Sequence, residues 1–545
     1  MRTSARVFCS RFPVEGAALT PVAVPADVVR RATATDPAPR IVFVLCLFAV
    51  AARLIFISQP YIDHWSWRQS DVAAIARNFL QNGFRFGYPQ IDWAGNSAGY
   101  VGTEFPILPF VAAICYKFAG VHEWIGRIQA IILFAVSLPF FFLLVREIFG
   151  NTAALWASFF FCFTPLNVFA GRSFMPDVPS LSFAIVGFYF FLRWVQQGEC
   201  SSFSVAAIAI SLSLLIKITS IVVVAPLVYV LVAAVCDRRR NKDLRFSKPP
   251  GRSGDRPSLN FGAHRAPLQL IAFTGIALLP SAVWYWHAHQ IAEKFYPHHF
   301  FGGGGIRIES FAWYWHTAQE TLVSSLTPAL AIMALIGLFV PQSRDRRYSR
   351  LFHWWLIAMV VFVIVVGYGN RHRWYQLPLV PIAAAFAGAA CAFVSSKISS
   401  RVILLTLSVV LVSSFTTLAF WCVQPFYQSS AAQLRDAGLE LKKLTPPDAL
   451  IVAADMGDPT IFYYAERKGW HFPENDAIYN GTPDDSEQAI ENLERLRRGG
   501  ATHFVFTRNT FWWLQSYPEF ARYLTQSASL LDATPEFRIY KLPAR

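Results

Sequence analysis

Residues 61–71 have the sequence YIDHWSWRQSD and follow directly after an apolar segment, residues 41–58, that is long enough to approach a membrane span. Three charged side chains, Asp63, Arg68 and Asp71, lie here among aromatic ones. A carboxylate held at the level of lipid headgroups costs desolvation energy, so acids at this place need a physical reason. The stretch therefore predicts a polar site just outside the membrane.

The residues that follow predict a helix. Ser66 with Gln69 three residues later is the pattern of a capping box at a helix start. Five apolar residues then recur with the spacing of one helix face: Val72, Ile75, Ala76, Phe79 and Leu80. We expect an interfacial helix with this face toward lipid and with the charged residues on its other faces. A second interfacial segment is predicted up to Phe118, with Glu104 at its entrance.

The composition of the chain indicates a membrane protein. Of its 545 residues, 54% are hydrophobic, 16% are aromatic and only 15% are charged, and the mean hydropathy is +0.37. Soluble domains carry about a quarter charged residues, so this balance excludes a soluble enzyme, a disordered chain and a coiled coil. We predict an all-α polytopic bundle of about eleven transmembrane helices. The apolar segments are about 41–58, 124–145, 153–170, 178–195, 203–217, 219–236, 268–287, 326–341, 352–368, 376–394 and 402–422.

The net charge of +14 comes largely from basic clusters between the apolar segments, mainly at 238–265 and 344–350. Such clusters mark cytoplasmic loops, and we discount nucleic-acid binding because the basic residues do not follow one face. The N-terminus is predicted to be cytoplasmic, with residues 1–40 as a disordered leader. An odd number of spans then places the first external loop, 59–123, and the C-terminal tail on the non-cytoplasmic face.

The tail has a more charged and alternating pattern than the rest of the chain. Strands are predicted at 450–453 and 503–506, and amphipathic helices at 429–443 and 484–498. We therefore predict a transmembrane domain over residues 41–422, followed by a small soluble α/β domain over residues 423–545 in the periplasm or outside the cell.

Further candidate residues fall in the other external loops of this topology: Arg172, Asp177, Lys217, Arg371, His372 and Tyr375. Each has a structural alternative, because an acid can cap a helix and a long cation can snorkel to lipid phosphate. The capping alternative also applies to Asp71 and Glu104, whereas Asp63 precedes the helix and has no obvious helix end to cap. Their joint placement on one face favours a shared active site.

An acid beside several cations at headgroup depth suits the transfer of a sugar from a polyprenyl phosphate. The carboxylate takes the proton of an acceptor hydroxyl, which attacks the anomeric carbon, and the cations stabilise the leaving phosphate. Phosphate needs no proton to depart, so one base suffices, and direct displacement inverts the anomeric carbon. No tightly bound cofactor is predicted. A divalent cation held by Asp63, Asp71 and Asp177 is left open, as is pairing of His64 with the base.

The same residues resemble a known family, the bacterial branch of glycosyltransferase family 39, which is related to protein O-mannosyltransferases and to the aminoarabinose transferases that modify lipid A. The resemblance covers roughly residues 41–395. Its motifs are the stretches 63–71, 102–106, 120–127, 175–177 and 375–381. It implies the GT-C fold, with an acid of the first external loop as base.

The resemblance also suggests roles for individual residues. Many relatives carry an Asp-Glu pair where this chain has Asp63 and His64, so both Asp63 and Asp71 are candidate bases. Glu104 is similar to a Glu that the aminoarabinose transferases follow with Lys. Here Phe105 follows instead. The phosphate charge would then be met by Arg68, Lys217 or Arg371. Lys217 and Tyr375 fall where relatives contact the donor phosphate.

Two other classes of protein remain alternatives. A flippase or transporter for lipid-linked sugars would use the same cations without a base. A structural or assembly protein would bind a partner through its tail, where residues 455–459 and 466–470 are candidates for contacts, including contacts with an acceptor. We favour the transferase, with a polyprenyl-phosphate sugar donor, a lipid, glycan or protein acceptor, and membrane lipids around it. The expected location is the inner membrane of a bacterium.

Overall fold

The computed structural model describes residues 36–234, 266–301, 305–341, 348–369, 371–475 and 478–543. Residues 1–35 of the predicted leader and the basic residues at 238–265 and 344–347 lie outside the described residues. The cytoplasmic position of the N-terminus therefore stays a prediction.

The first part of the chain is a bundle of helices. In chain order they are α1 (Ala38–Leu54), α2 (Ser66–Gln81), α3 (Ile107–Ala119), α4 (Glu123–Phe149), α5 (Asn151–Phe163), α6 (Pro165–Ala170), α7 (Asp177–Gln197), α8 (Cys200–Ile216), α9 (Ile218–Ala234, beginning with a 3₁₀ turn), α10 (Ala266–Lys294), α11 (Phe311–Glu320), α12 (Pro328–Leu338), α13 (Leu351–Val366), α14 (Leu379–Lys397) and α15 (Arg401–Val423). Short 3₁₀ helices lie before α14, at Arg373–Gln376, and after α15, at Gln424–Tyr427. A π-helical turn lies between α11 and α12, at Thr321–Ser325.

The described helices support a multi-pass membrane protein. Five of them, α4, α7, α10, α14 and the helical run beginning with α15, are long and apolar enough to cross a membrane. A sixth span results if α11 and α12, which meet at a bend of 108°, are counted together. Other predicted spans correspond to shorter apolar helices. The 13 residues of α5, for example, reach about 20 Å, less than the hydrocarbon thickness of about 30 Å. The count of eleven stays a prediction.

Small residues let the helices of the bundle pack closely. A Cβ at Gly388 on α14 would lie 2.2 Å from the carbonyl oxygen of Ala153 on α5. A Cβ at Gly337 on α12 would lie 1.8 Å from the carbonyl oxygen of Phe386 on α14. Close backbone approach at small residues is the usual way in which membrane helices associate. These two glycines bring α5, α12 and α14 together.

The end of the described chain is an α/β domain, as predicted. Its elements are α16 (Ala432–Leu444), β1 (Leu450–Ala454), α17 (Thr460–Ala465), β2 (Lys468–His471), β3 (Glu474–Asn475), β4 (Ile478–Tyr479), α18 (Ser486–Arg498), β5 (His503–Thr507), α19 (Trp513–Ser516), α20 (Pro518–Ser527), β6 (Ser529–Ala533) and β7 (Phe537–Lys541). The predicted strands and helices are confirmed to within a few residues. The position of the domain boundary at residue 422 stays a prediction.

One five-stranded sheet organises this domain, with the strand order β2-β1-β5-β7-β6. The strands β2, β1 and β5 are parallel, and β7 and β6 are antiparallel to their neighbours. Alternate side chains of the strands pack on the two faces of the sheet, with α16 and α17 covering one face and α18 and α20 the other. The carboxyl ends of β1 and β2 therefore lie side by side.

The α/β domain packs on the first external loop. The amide of Gly95 donates to the carbonyl of Gly469 at 2.7 Å, and the amide of Gly469 donates to the carbonyl of Asp92 at 3.1 Å. The loop thus pairs with the outer edge of β2. On the other side of the contact, α17 lies against α2, where the hydroxyls of Ser70 and Thr460 are 3.1 Å apart.

This packing corrects two expectations for α2. The helix is buried around nearly its whole circumference, including its polar residues, because the α/β domain covers the side that the sequence pattern assigns to water. The predicted capping box is also wrong. Ser66 is the first helical residue, Trp65 precedes it without a side-chain cap, and the Ser66 hydroxyl donates to Asp458 Oδ2 at 2.7 Å instead.

Candidate active site

Asp71 lies in the middle of α2, one turn after Arg68, and is 2% exposed. Its Oδ1 accepts a hydrogen bond of 2.9 Å from Nε1 of Trp93 in the external loop. Burial raises the pKa of Asp71 to about 6, although the Trp93 hydrogen bond and the charge of Arg68 oppose the shift. Asp71 is therefore a carboxylate that changes its charge close to neutral pH. It caps no helix end.

Arg68 pairs with Glu104. Its Nη2 lies 2.7 Å and 2.8 Å from the two carboxylate oxygens of Glu104, and its guanidinium lies over the ring of Phe301 at 4.9 Å. Burial alone would raise the pKa of Glu104, but the charges of Arg68 and Lys217 outweigh it and leave the pKa lowered. Glu104 makes no cap at α3, whose preceding residue is Pro106. The capping alternative for Glu104 is wrong.

Lys217 and Asp177 form the next pair. Lys217 directly follows α8 and Asp177 begins α7, and Lys217 Nζ lies 2.5 Å from Asp177 Oδ1. The same ammonium lies 4.2 Å from the centre of the Tyr375 ring, which is a cation–π contact. Both charged side chains are buried, so Lys217 does not snorkel away from the bundle.

These residues form a row of alternating charge. Arg68 forms an ion pair with Glu104, and Lys217 forms one with Asp177. The charge of Arg68 also acts on Asp71, and the charge of Lys217 acts on Glu104. Each acid is adjacent to a cation, which offsets the cost of burying the charges. The sequence-predicted convergence of external-loop residues is thus observed for these five and for Tyr375.

Two neighbouring cavities adjoin the Lys217 end of this row. The first is lined by Asp177, Lys217 and Tyr375, together with Thr219 and Ser220. The second is lined by Arg371, Tyr375 and Gln376 among others. Tyr375 faces both, so the two cations border adjoining spaces.

His372 lies beside the row but does not act as a cation. Its ring stacks on Trp374, with 4.4 Å between the ring centres, and lies 5.3 Å from Trp67. Burial, helped by the charge of Arg371, lowers its pKa to about 4. A neutral imidazole at pH 7 can donate or accept a hydrogen bond but cannot supply positive charge to a phosphate.

Asp63 belongs to a second cluster. Its carboxylate lies 3.4 Å from Nη2 of Arg127 and 3.9 Å from Nη1 of Arg172, and it accepts from Nε2 of Gln69 at 2.7 Å and from the amide of Trp65 at 3.2 Å. The side chain is fully buried, and burial raises its pKa although both arginines oppose the shift. Arg172 is thus a partner of Asp63 and does not join the row, which corrects the expectation of a single site.

The α/β domain adds His471, which the sequence did not single out, and Asp455, which the sequence named only within the 455–459 loop as a candidate for partner contacts. Nδ1 of His471 lies 2.8 Å from Oδ2 of Asp455, and both side chains are buried. The His471 ring lies 5.2 Å from the ring of Trp93, which binds Asp71. A signal was present in the sequence, because Asp455 lies two residues after the predicted strand 450–453 and the carboxyl ends of parallel strands are common sites of function.

A metal site does not emerge from the described residues. They contain no group of three or more His, Cys, Asp or Glu side chains placed to hold an ion. Asp63 is enclosed by arginines, Asp177 is bound to Lys217, and Asp71 lies at the other end of the row. These three acids do not fit the divalent cation that the sequence left open, and we assign no step to a metal.

Comparison with known sequences finds a similarity over part of the chain. Residues 103–246, about a quarter of the chain, match the family described as dolichyl-phosphate-mannose-protein mannosyltransferase. A protein of Bacillus subtilis named as a mannosyltransferase, YkcB, is 22% identical over 152 residues. That match covers 27% of this chain and only 21% of the Bacillus protein.

Comparison with solved structures extends over nearly the whole chain. ArnT from Cupriavidus metallidurans superimposes with a TM-score of 0.61 in its apo state, over 93% of this chain and 98% of that one, at 15% identity. The chain has the GT-C fold. ArnT bound to undecaprenyl phosphate gives a TM-score of 0.59 at 14% identity, over 92% of this chain and 97% of that one. The GT-C resemblance read from the sequence motifs is thereby confirmed.

A second GT-C structure is similar over a smaller part of its length. The archaeal oligosaccharyltransferase AglB from Archaeoglobus fulgidus, in complex with an inhibitory peptide and a dolichol-phosphate, gives a TM-score of 0.56 at 14% identity. The match covers 87% of this chain and 69% of AglB. Identities this low establish the fold, and the chemistry has to be argued from the side chains of this chain.

Proposed function

We propose that the protein is an integral-membrane glycosyltransferase that moves a sugar from a polyprenyl-phosphate donor to an acceptor hydroxyl on the non-cytoplasmic face. The observation that carries the proposal is the buried row of alternating charge, with a carboxylate of raised pKa at one end and two cation-lined cavities at the other. The similarity to structures that hold undecaprenyl phosphate and dolichol-phosphate supports a lipid-linked donor.

Lys217, Arg371 and Tyr375 are the proposed contacts of the donor phosphate. An ammonium has three N–H donors, and the one directed at Asp177 leaves two for phosphate oxygens. Arg371 borders the second cavity, and its guanidinium lies 5.7 Å from the centre of the Tyr368 ring. It makes no ion pair with any described residue, so no carboxylate neutralises its charge. Positive charge at this place stabilises the phosphate as it leaves, and the leaving group needs no general acid.

Asp71 is the proposed base. Its carboxylate accepts one hydrogen bond from the described residues, whereas that of Asp63 is enclosed by two arginines, a glutamine and a backbone amide. A base with a pKa near 6 is charged at neutral pH and still takes up a proton readily. In this reaction Asp71 removes the acceptor hydroxyl proton, the oxygen bonds to the anomeric carbon, and the bond from that carbon to the phosphate oxygen breaks. The anomeric carbon is inverted.

Arg68 and Glu104 support this chemistry from the middle of the row. Glu104 fixes the guanidinium of Arg68 through both of its oxygens, and Arg68 in turn faces Asp71. The cluster of Asp63, Arg127, Arg172 and Gln69 ties the start of α2 to the bundle, so its proposed role is to position that helix.

Substitution of the two acids tests the proposal. The assay supplies the full-length protein with undecaprenyl-phosphate hexoses and pentoses and a membrane extract as acceptor, and it measures release of undecaprenyl phosphate by mass spectrometry. We expect Asp71→Asn to lower kcat about 10²- to 10⁴-fold, the usual contribution of a positioned base. Asp532→Asn, in strand β6 and remote from the row, is the control and should keep the activity of the native protein.

The outcome also separates the transferase from the alternatives. A flippase would move the donor across the membrane of a proteoliposome equally well with Asp71→Asn, and it would release no free lipid phosphate. Normal transfer by Asp71→Asn, by Asp63→Asn and by the double variant would refute the assignment of either acid as base.

The cellular setting belongs to the same proposal. We place the protein in the inner membrane of a bacterium, with the α/β domain in the periplasm and with a lipid, a glycan or a protein as acceptor. The α/β domain contacts the external loop that holds Asp71, so an acceptor reaching the base passes close to this domain.

A further inference from the structure

The Asp455–His471 pair lies at the carboxyl ends of two neighbouring parallel strands. Asp455 directly follows β1 and His471 ends β2, so the sheet itself holds the two side chains together. The Nδ1 atom of His471 is 2.9 Å and 2.8 Å from the two oxygens of Asp455. His471 is 3% exposed and Asp455 is 3% exposed, so the pair is shielded from water.

Trp93 joins this pair to the row of alternating charge. Its indole nitrogen donates to Asp71, and its ring centre lies 5.2 Å from that of His471. Trp93 is itself held because Asp92 and Gly95, on either side of it, pair with Gly469 on the edge of β2. The contact between domain and loop therefore holds both His471 and Asp71 against the same indole.

The charged groups around the two residues come from three segments. Asp71 faces Arg68 on its own helix, Asp92 from the external loop and His471 from the α/β domain. His471 faces Asp455, Asp71 and Asp458, and the nearby His299 is kept neutral, because burial lowers its pKa to about 4. His471 is thus surrounded by carboxylates, whereas Asp71 receives positive charge from only two of these groups.

We propose that the α/β domain completes the active site by placing the Asp455–His471 pair against Trp93, the residue that binds Asp71, with His471 as a positively charged positioning residue for the base. The proposal rests on the proposed function, because it assumes that Asp71 is the base. It gives the domain a role beyond contact with the acceptor.

The sign of the effect follows from the charges. Burial lowers the pKa of His471, but the carboxylates around it, with Asp455 first, outweigh burial and leave the pKa raised. A protonated His471 favours the charged form of Asp71 and holds down the pKa that burial raises. Loss of this charge raises the pKa of Asp71, so fewer molecules carry an active base at a given pH.

The test is the pH dependence of kcat/KM for the full-length protein and three variants, with undecaprenyl phosphate release as the readout. The native protein should gain activity with a midpoint near pH 6, the pKa of Asp71. We expect His471→Gln and Asp455→Asn each to move this midpoint upward by about one unit, the lower end of the shift caused by a nearby charge. Activity should then fall about tenfold at pH 5.5 and recover above pH 8.

His503→Gln is the matched control. His503 is also a buried histidine on a parallel strand of the sheet, but its described partner is the hydroxyl of Thr502 and not a carboxylate. We expect its midpoint to equal that of the native protein. The KM for the donor should be unchanged in all three variants, because Lys217 and Arg371 lie at the other end of the row.

A purely structural role for the pair gives a different result. A uniform loss of activity at every pH, with the midpoint unchanged, would overturn the proposal. If His471→Gln does not yield folded protein, Asp455→Asn carries the test, because it removes the carboxylate that favours a protonated His471, and an unmoved midpoint in this variant would equally overturn the proposal. If Asp71→Asn is fully active, the base itself is wrongly assigned, which is the separate failure of the proposed function.

Discussion

The buried pair of Arg68 and Glu104 provides a test of the row of alternating charge that needs no substrate. The side chains of Arg68 and Glu104 are 6% and 11% exposed. Glu104→Gln preserves size but removes the charge. Nη1 of the Arg68 guanidinium already has no hydrogen-bond partner in the described structure, so the pair with Glu104 is the main compensation for this buried cation. Removal of one partner from a buried pair costs about 3–5 kcal/mol, because an uncompensated charge remains.

A second pair in the same protein serves as the control. Arg373 and Glu320 have a contact of similar length, 2.8 Å, but their side chains are 26% and 34% exposed. Glu320→Gln should cost about 0–1 kcal/mol, since water screens a partly exposed pair. Thermal unfolding of both variants in one detergent compares the two directly. A clearly lower melting temperature for Glu104→Gln alone is expected, and equal shifts in the two variants would refute the claim that burial makes this pair important.

Two further predictions concern the donor site and the contact between domain and loop. Lys217→Gln should raise the KM for the polyprenyl-phosphate donor at least about tenfold, because a charged hydrogen bond to phosphate is worth roughly 1.5–3 kcal/mol. An unchanged KM would exclude Lys217 from the donor site. Gly95→Ala should weaken the packing of the α/β domain, because its Cβ would lie 2.2 Å from the Trp470 ring, and limited proteolysis between the domains should become faster. Gly83→Ala is the control, because Gly83 also has a positive φ, of 89°, but no atom lies within 4 Å of the added Cβ. Equal rates of cleavage in the two variants would contradict the prediction.

The local pattern of the sequence predicted helix α2 well, but not its surroundings. Its start at Ser66 and its apolar face follow from the spacing of residues. Its polar face is buried because α17, almost 400 residues later in the chain, packs against it. A periodicity argument uses neighbours in sequence and contains no information on such a contact. The prediction of a capping box was wrong for the same reason, because the Ser66 hydroxyl that would have capped the helix donates to Asp458 instead.

The choice between Asp63 and Asp71 shows the same limit for the site. The two acids are eight residues apart. Asp63 lies just before α2, and Asp71 lies within it. The difference between them is that Arg127 from α4 and Arg172 from the segment before α7 both contact Asp63. Neither arginine contacts Asp71. The types of residue were predictable because charged side chains are scarce in this chain, whereas their partners depend on tertiary contacts.

The charge balance of the row assigns a specific task to Arg371. The row carries one net negative charge when all its members are ionised. It contains three carboxylates, of Asp71, Glu104 and Asp177, and two cations, Arg68 and Lys217. A donor phosphate that enters the cavity beside Lys217 adds further negative charge to a buried region, where like charges repel strongly. The cation that can offset it must come from outside the row, and Arg371 borders the adjoining cavity across Tyr375. On this argument Lys217 mainly orients the phosphate, because Asp177 already balances its charge, and Arg371 supplies the positive charge that lets the phosphate enter and leave as an anion.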